Sequence, residues 1–314
     1  AMEAGVMKEL PWKGLDLNDD PDYDKIDLHR PYVDDIILVS GSGKPMRRET
    51  DLIDVWFDSG AMPFAQVFYP HIPEDEFRKV FPADFIAEGV DQTRGWFYTL
   101  HAIAAMVKGS VAFKNVVSNG LVLDKNGNKM SKRLGNAVDP FETIEKYGSD
   151  PLRWYMITNA APWENLKFDM EGIEEARRKF FGTLYNTYSF FVLYANVDDF
   201  HDQYRQIAFD KRPEIDRWIL SMLHSLIKEV DQSYDTYEPT RAGRAIADFV
   251  NDHLSNWYVR LNRKRFWGGE MTDDKLSAYQ TLYQCLVAVS KLMAPIAPFY
   301  ADRRYLDLTS ATGS

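Results

Sequence analysis

A chain of 314 residues is long enough for two domains, and 45% apolar with 27% charged residues is the make-up of an ordinary globular protein. The single cysteine, Cys285, excludes an intramolecular disulfide and a cysteine-rich zinc site, fits a reducing cytoplasm, and reads as a buried thiol in an apolar helix. No run approaches ~18 uninterrupted apolar residues, so no membrane span is expected, and a formal net charge of −10 argues against nonspecific DNA or RNA binding.

The opening Ala1-Met2-Glu3-Ala4-Gly5 lacks a basic flank and an apolar core, so it is no signal peptide and reads as the interior of a longer chain. Residues 1–100 carry the whole charge excess, 10 Lys+Arg against 20 Asp+Glu. Within them, residues 1–35 read as an acidic connector, with Asp19, Asp20, Asp22 and Asp24 around Pro21. Ile36–Val39 predicts a strand, Gly41-Ser42-Gly43 a turn, and Leu52–Phe57 a second strand. Phe85-Ile86-Ala87 predicts a third strand, leading through Glu88-Gly89 into a helix over 95–108 that Gly109 stops. His101 falls within that helix and reads as structural. Val116-Val117 begins a fourth strand reaching Leu123, and Asn126-Gly127 is a tight-turn signal. Pro140 and Pro151 each open a short helix, with Asp139 and Asp150 as candidate N-caps. Strands alternating with helices predict a parallel sheet.

From about Phe168 the pattern is helical throughout. Ile173, Ala176, Phe180, Leu184, Tyr188 and Phe191 step by three and four, as do residues from Ile215 to Val230. A third face runs Ala242, Ala245, Ile246, Phe249, His253, Trp257, and a fourth from Leu276 to Val289, which Pro295 and Pro298 stop. Four amphipathic helices with short connections predict a bundle. The fold class is therefore α/β followed by all-α, divided into residues 1–165 and 166–314.

The chemistry concentrates at Lys129-Met130-Ser131-Lys132-Arg133, just past the Asn126-Gly127 turn. Two lysines three apart on a loop leaving a sheet can set two ammonium groups on one polyphosphate, and Gly127 and Gly135 give that loop room to close. A bare K-x-x-K-R run is usually a solvated turn; the full pentapeptide with Leu134-Gly135-Asn136 after it favours the phosphate reading.

These residues resemble the KMSKS element, in its KMSKR form, of the class I aminoacyl-tRNA synthetases. Asp54-Val55-Trp56-Phe57-Asp58-Ser59-Gly60 and Glu88-Gly89-Val90-Asp91-Gln92-Thr93-Arg94-Gly95-Trp96-Phe97-Tyr98 are similar to segments of the isoleucyl branch. Asn119-Gly120-Leu121-Val122 precedes the KMSKR loop as it does there, and the likeness runs on through Asn256-Trp257-Tyr258-Val259-Arg260. It implies the C-terminal half of a Rossmann-like catalytic domain joined to an anticodon-binding helical domain. It also implies activation of isoleucine with ATP and Mg²⁺ as substrate, followed by transfer to tRNA(Ile), by a cytoplasmic and monomeric parent enzyme with no metal site in this segment.

The implied roles carry over by residue. Lys129 and Lys132 would stabilise the phosphates, with Ser131 beside them. Glu88 and Gly89 would lie at the amino acid and adenylate, Asp91 at the ribose hydroxyls, which a carboxylate can accept from, and Gln92 at the activated acyl group. The backbone of Asn119, Gly120, Leu121 and Val122 would face adenine, and Trp56 and Trp96 would wall the isoleucine pocket. For the two tryptophans the composition alone favours core, and Asp91-Gln92 also suits a helix N-terminus. The H-I-G-H element and the editing insertion of that family do not occur here, so the segment by itself is expected to be inactive. Arg260, Arg263, Lys264 and Arg265 put four cations in six positions among aromatics, the composition of an RNA-facing edge. Three adjacent charges at 263–265 are not expected all to turn inward. The alternatives are a non-catalytic tRNA-binding or assembly module of the same fold, a valyl relative, and a nucleotidyltransferase, which would not need the helical half.

Overall fold

The computed structural model describes residues 5–8, 27, 29–51, 54–201 and 204–310, so most of the acidic connector, Asp19 to Asp24 included, lies outside the described residues. Contacts divide the chain into two compact units, one of residues 1–82 with 94–112 and one of 83–93 with 113–314.

In the first unit, β1 (Ile37–Val39) and β2 (Pro45–Arg47) form an antiparallel hairpin that pairs Leu38 with Met46. Gly43 sits at φ +78° in its turn, a conformation that costs glycine little. The strand expected at Leu52–Phe57 is not one. Leu52 and Ile53 lie outside the described residues, and Val55–Gly60 is a helix, α1. The Asp54 carboxylate accepts the Trp56 N–H at 2.8 Å and caps it. The apolar run has the composition of a strand, but the aspartate just before Val55 satisfies an N–H group of a first helical turn and favours the helix. Then come α2 (Met62–Ala65), α3 (Glu74–Val80) and α4 (Trp96–Lys108), the last ended by Gly109 in the left-handed region as expected. Phe64, Tyr69, Phe77 and Phe81 form an aromatic cluster with ring centres 4.7–5.7 Å apart. Lys108 lies over it and bonds Glu74 at 2.8 Å. His101 is exposed on α4.

In the second unit, β3 (Ala83–Gly89) and β4 (Phe113–Asn119) are parallel, a pairing that needs a long crossover connection such as the one containing α4. β5 (Val122–Leu123) pairs in parallel with β6 (Leu166–Lys167). Between them lie α5 (Pro140–Tyr147), capped by Asp139 as expected, and α6 (Ser149–Asn159). Asp150 is not a cap: Gly148 holds that position, and the buried Asp150 carboxylate instead accepts the Tyr300 N–H at 2.6 Å. Burial pushes its pKa up, against the opposing pull of that N–H.

The helical half comprises α7 (Met170–Ala176), a π-helical turn (Arg177–Phe181) and α8 (Gly182–Val197), then α9 (Glu214–Asp235). α10 (Pro239–Asp248), a long π-helical stretch (Phe249–Val259) and α11 (Arg260–Phe266) run on as one rod. α12 (Asp273–Met293) follows, and Pro298 opens a further helix, α13 (Pro298–Ser310), where it was expected only to stop one. A proline fits the first turn of a helix because the N–H it lacks would be unbonded there. One apolar core joins these helices, with Trp154 of α6 stacked on Phe180 at 4.0 Å. Thr240 donates to the Ile157 carbonyl at 2.6 Å and Arg244 to the Thr158 carbonyl at 2.8 Å, fixing α10 on α6. Among the described residues no helix is long and apolar enough to cross a membrane.

The π-helical stretch corrects the third apolar face. Period 3.6 predicts Phe249, His253 and Trp257 inside; the buried residues are Phe249, then Val250, Leu254, Tyr258 and Val259. The wider turn moves the face on by one residue, so Trp257 is 56% exposed.

Candidate active-site strands, phosphate loop and basic rod

Parallel pairing sets Glu88 opposite Ser118 and Gly89 opposite Asn119, at the carboxyl ends of β3 and β4. That end of a parallel sheet is where α/β folds receive ligands. Past Gly89 the chain enters a 3-10 turn over Val90–Arg94. A Cβ on Gly89 would come within 2.6 Å of the Asp91 carboxylate, so glycine there lets the carboxylate fold back over the strand end. Gln92 donates to the other Asp91 oxygen at 3.2 Å, and Glu88 and Asp91 are both exposed.

The next segment is fixed by backbone approach. A Cβ on Gly120 would meet the Glu164 carbonyl at 2.2 Å, and the Gly120 N–H donates to the Pro162 carbonyl at 2.8 Å. The Leu121 N–H donates to the Asn165 side chain at 2.8 Å, and the Leu121 and Leu123 carbonyls accept the N–H groups of Leu166 and Phe168. By the alternation of a strand, the N–H and C=O of Val122 therefore face the other edge. Of the four positions expected at adenine, Val122 presents a backbone edge, whereas the Leu121 N–H is engaged by Asn165.

Beyond β5 the Lys129–Arg133 loop is built on Asp124. Its Oδ1 accepts the N–H groups of Asn126 at 2.9 Å and Asn128 at 2.8 Å; its Oδ2 accepts the side-chain amides of Asn128 at 3.3 Å and Asn136 at 3.0 Å. The Asn128 N–H first, then the Asn136 amide, hold the Asp124 carboxyl below the usual carboxylate range. Gly127 takes φ +86° in the turn, and Leu123 bridges Lys129. Asn136 Oδ1 accepts the Ser131 N–H at 2.9 Å, and the Asn136 amide reaches the Lys129 carbonyl at 3.3 Å. Lys129 and Arg133 are exposed; Lys132 begins a short 3-10 turn, and its side chain lies outside what is described. Asp124, Asn136 and Asn165 are the residues that sequence reasoning missed. The signal for two of them was present, since Asp-x-Asn-x-Asn at 124–128 is an Asx-turn pattern and Asn136 closes the Leu134-Gly135-Asn136 run.

Trp56 and Trp96 lie in the other unit, on two helices packed face to face. The Trp96 indole donates to the Ser59 carbonyl at 3.0 Å. A Cβ on Gly60 would come within 2.8 Å of Thr99 Cβ, a closeness that only glycine permits. Trp56 is 46% exposed and Trp96 half-buried.

The basic run divides. Arg260, Arg263 and Lys264 are exposed on α11, beside Trp257 and, at 51% exposure, Trp267. Arg265 turns inward, which corrects the reading of all four cations as an RNA edge. Its guanidinium grips the fully buried Asp216 with two bonds of 2.6 and 2.9 Å and also bonds Asp274 at 3.0 Å. Burial opposes its charge most strongly, but Asp216 and Asp274 together with Tyr258 outweigh burial and its pKa rises. Tyr258 at 2.8 Å and Ser277 at 2.5 Å complete the shell of Asp216. Among the described residues no cluster of three or more His, Cys, Asp or Glu side chains is placed to hold a metal.

Residues 16–169 match the model of the class I tRNA synthetases (I, L, M and V), and residues 216–312 that of the anticodon-binding domain of tRNA ligases. The chain is 72% identical over its whole length to the isoleucine–tRNA ligase of Bacteroides thetaiotaomicron. It is 51% identical over 88% of its length to that of Thermus thermophilus. It spans 28% and 26% of those two relatives. Among solved structures it resembles the Agrobacterium radiobacter LeuRS–tRNA–LeuAMS complex, with a TM-score of 0.66 at 19% identity over 88% of this chain and 33% of that one. It also resembles Mycobacterium tuberculosis methionyl-tRNA synthetase in complex with methionyl-adenylate, with a TM-score of 0.67 at 19% identity over 79% and 48%. At that identity the likeness concerns the fold.

Proposed function

The chain belongs to the isoleucine–tRNA ligases of the class I tRNA synthetases, and from that premise we propose that it supplies the phosphate-loop half of an isoleucine-activating site together with a tRNA-binding rod. The observation that carries this reading is the 72% identity to an isoleucine–tRNA ligase along the whole chain. In it, the isoleucine carboxylate attacks the α-phosphate of ATP, which enters with Mg²⁺ as substrate; pyrophosphate leaves, and the acyl group then passes to the 3′-terminal ribose of tRNA(Ile).

Lys129 and Lys132, with Ser131, stabilise the charge that builds on the departing pyrophosphate. Asp91 accepts from the ribose hydroxyls and Gln92, already bonded to Asp91, holds the activated acyl group. Glu88 and Gly89 meet the amino acid end, and the Asn119–Val122 segment meets adenine through the edge of Val122. Trp56 and Trp96 wall the side chain of isoleucine. The division at residue 165 assigns the catalytic part to 1–165 and the anticodon-binding bundle to 166–314. Arg260, Arg263 and Lys264 contact tRNA phosphates, with Trp257 and Trp267 offered to unpaired bases. Just past the far end of α9, Tyr237 stacks on Phe85 of β3 at 4.9 Å, whereas Asp216 at its near end holds Arg265. At 1.5 Å per residue the basic segment is thus about 30 Å from the sheet. The parent is a monomeric cytoplasmic enzyme.

The test is isoleucine-dependent ATP–pyrophosphate exchange by a chain of the relatives' full length, run against valine, leucine and methionine. Isoleucine is expected to be preferred, and the 314-residue chain alone to stay at the level of its Lys132→Ala variant. Preference for valine would reassign the substrate, and no exchange with any amino acid would favour a non-catalytic tRNA-binding module.

A further inference from the structure

Asp124 and Asn136 are twelve positions apart and lie on opposite sides of the Lys129–Arg133 loop. The bonds from Asp124 to Asn126 and Asn128 are ordinary turn chemistry, local to the Asn-Gly corner. The bond to Asn136 is not local, and no turn requires it. It reaches across the base of the loop at 3.0 Å. The same Asn136 side chain accepts the Ser131 N–H at 2.9 Å and donates to the Lys129 carbonyl at 3.3 Å. One amide therefore holds backbone groups of two residues of the pentapeptide and anchors both to a carboxylate that already fixes the preceding turn.

Resting on the adenylation reading above, we propose that Asp124 and Asn136 are positioning residues that latch the KMSKR loop in the shape that presents its lysines to the polyphosphate. An eleven-residue excursion (residues 125–135) held only at its ends samples many shapes, and ordering it during the reaction would raise the barrier. The latch does that ordering beforehand without touching substrate. Its partners are of complementary kind, carboxylate acceptor to amide donor, so the bond has a direction that can be reversed.

The experiment has two arms. In the 314-residue chain, Asn136→Ala should speed hydrogen exchange at the Ser131 amide by about ten-fold, while amides of α12 stay as slow as before. This arm reads the latch without any activity. In the full-length enzyme, Asp124→Asn and Asn136→Ala should each lower kcat for isoleucine-dependent exchange by about 10-fold to 10²-fold, with the isoleucine KM within about two-fold. The swapped pair Asp124→Asn with Asn136→Asp restores the bond across the loop base in reverse, amide to carboxylate, and still offers an oxygen to the Ser131 N–H, losing only the longer bond to the Lys129 carbonyl. It should be clearly faster than Asp124→Asn alone. An unchanged Ser131 amide would overturn the latch whatever the enzyme does. A loosened amide with kcat unmoved, or a swapped pair no better than Asp124→Asn, would overturn the positioning role while leaving the adenylation reading standing.

Discussion

The carboxyl end of the β3–β4 pair and the start of α9 both gather charged side chains, and they treat them in opposite ways. At the sheet, Glu88 and Asp91 are exposed, and Asp91 has the Gln92 amide against one oxygen. At the helix, Asp216 is fully buried and enclosed by Arg265, Tyr258 and Ser277. The first set keeps its capacity to bond outward, as the proposed binding of substrate requires. The second has its capacity taken up within the fold, as a buried charge must to be tolerated. The cations at 263–265, adjacent in sequence, fall on both sides of this division: Arg263 and Lys264 face out, and Arg265 faces in.

The largest expected effect breaks the buried side. Asp216→Ala leaves Arg265 without its main counter-charge, and Arg265→Gln does the reverse to Asp216. Each should cost about 3–5 kcal/mol in denaturant unfolding of the chain, whereas Asp91→Ala should stay within about 0.5 kcal/mol. Equal losses at Asp216 and Asp91 would erase the contrast. Next comes the exposed side. In the full-length enzyme, Lys132→Ala should slow isoleucine activation by ~10²-fold, about 3 kcal/mol, with little change in isoleucine KM. An unchanged rate with a raised KM would make Lys132 a ground-state binding contact rather than a stabiliser of leaving charge.

Much of this is legible in the sequence, and what is not legible there shares a physical cause. Strand β3, helix α4 with its Gly109 stop and the Asp139 cap follow from periodicity and end signals alone, because nothing tertiary competes with them there. Asp54 reads differently once it caps a helix, and Asp150 once it faces the Tyr300 N–H, 150 positions away. The face of the α10–α11 rod shifted because a π-helical stretch changes the period, and no residue in it announces that change. Within the site, the KMSKR pentapeptide was legible as a short motif. The grip of Asn136 on it was not, because a side chain that bonds backbone across a loop leaves no periodic trace. The inward turn of Arg265 was hidden likewise, since its partner lies 49 positions earlier in the chain.

The most direct test of the division between an activating end and an RNA-facing rod is a paired measurement on one variant. Arg260, Arg263 and Lys264 are changed together to Gln in the full-length enzyme, with Arg265 retained. tRNA affinity is then measured against salt, beside isoleucine-dependent exchange without tRNA. The account predicts weaker tRNA binding and a log–log salt slope shallower by about 2–3, from three lost phosphate contacts, with exchange unchanged. An unaltered affinity and slope in the folded variant, or a matching fall in tRNA-independent exchange, would contradict it.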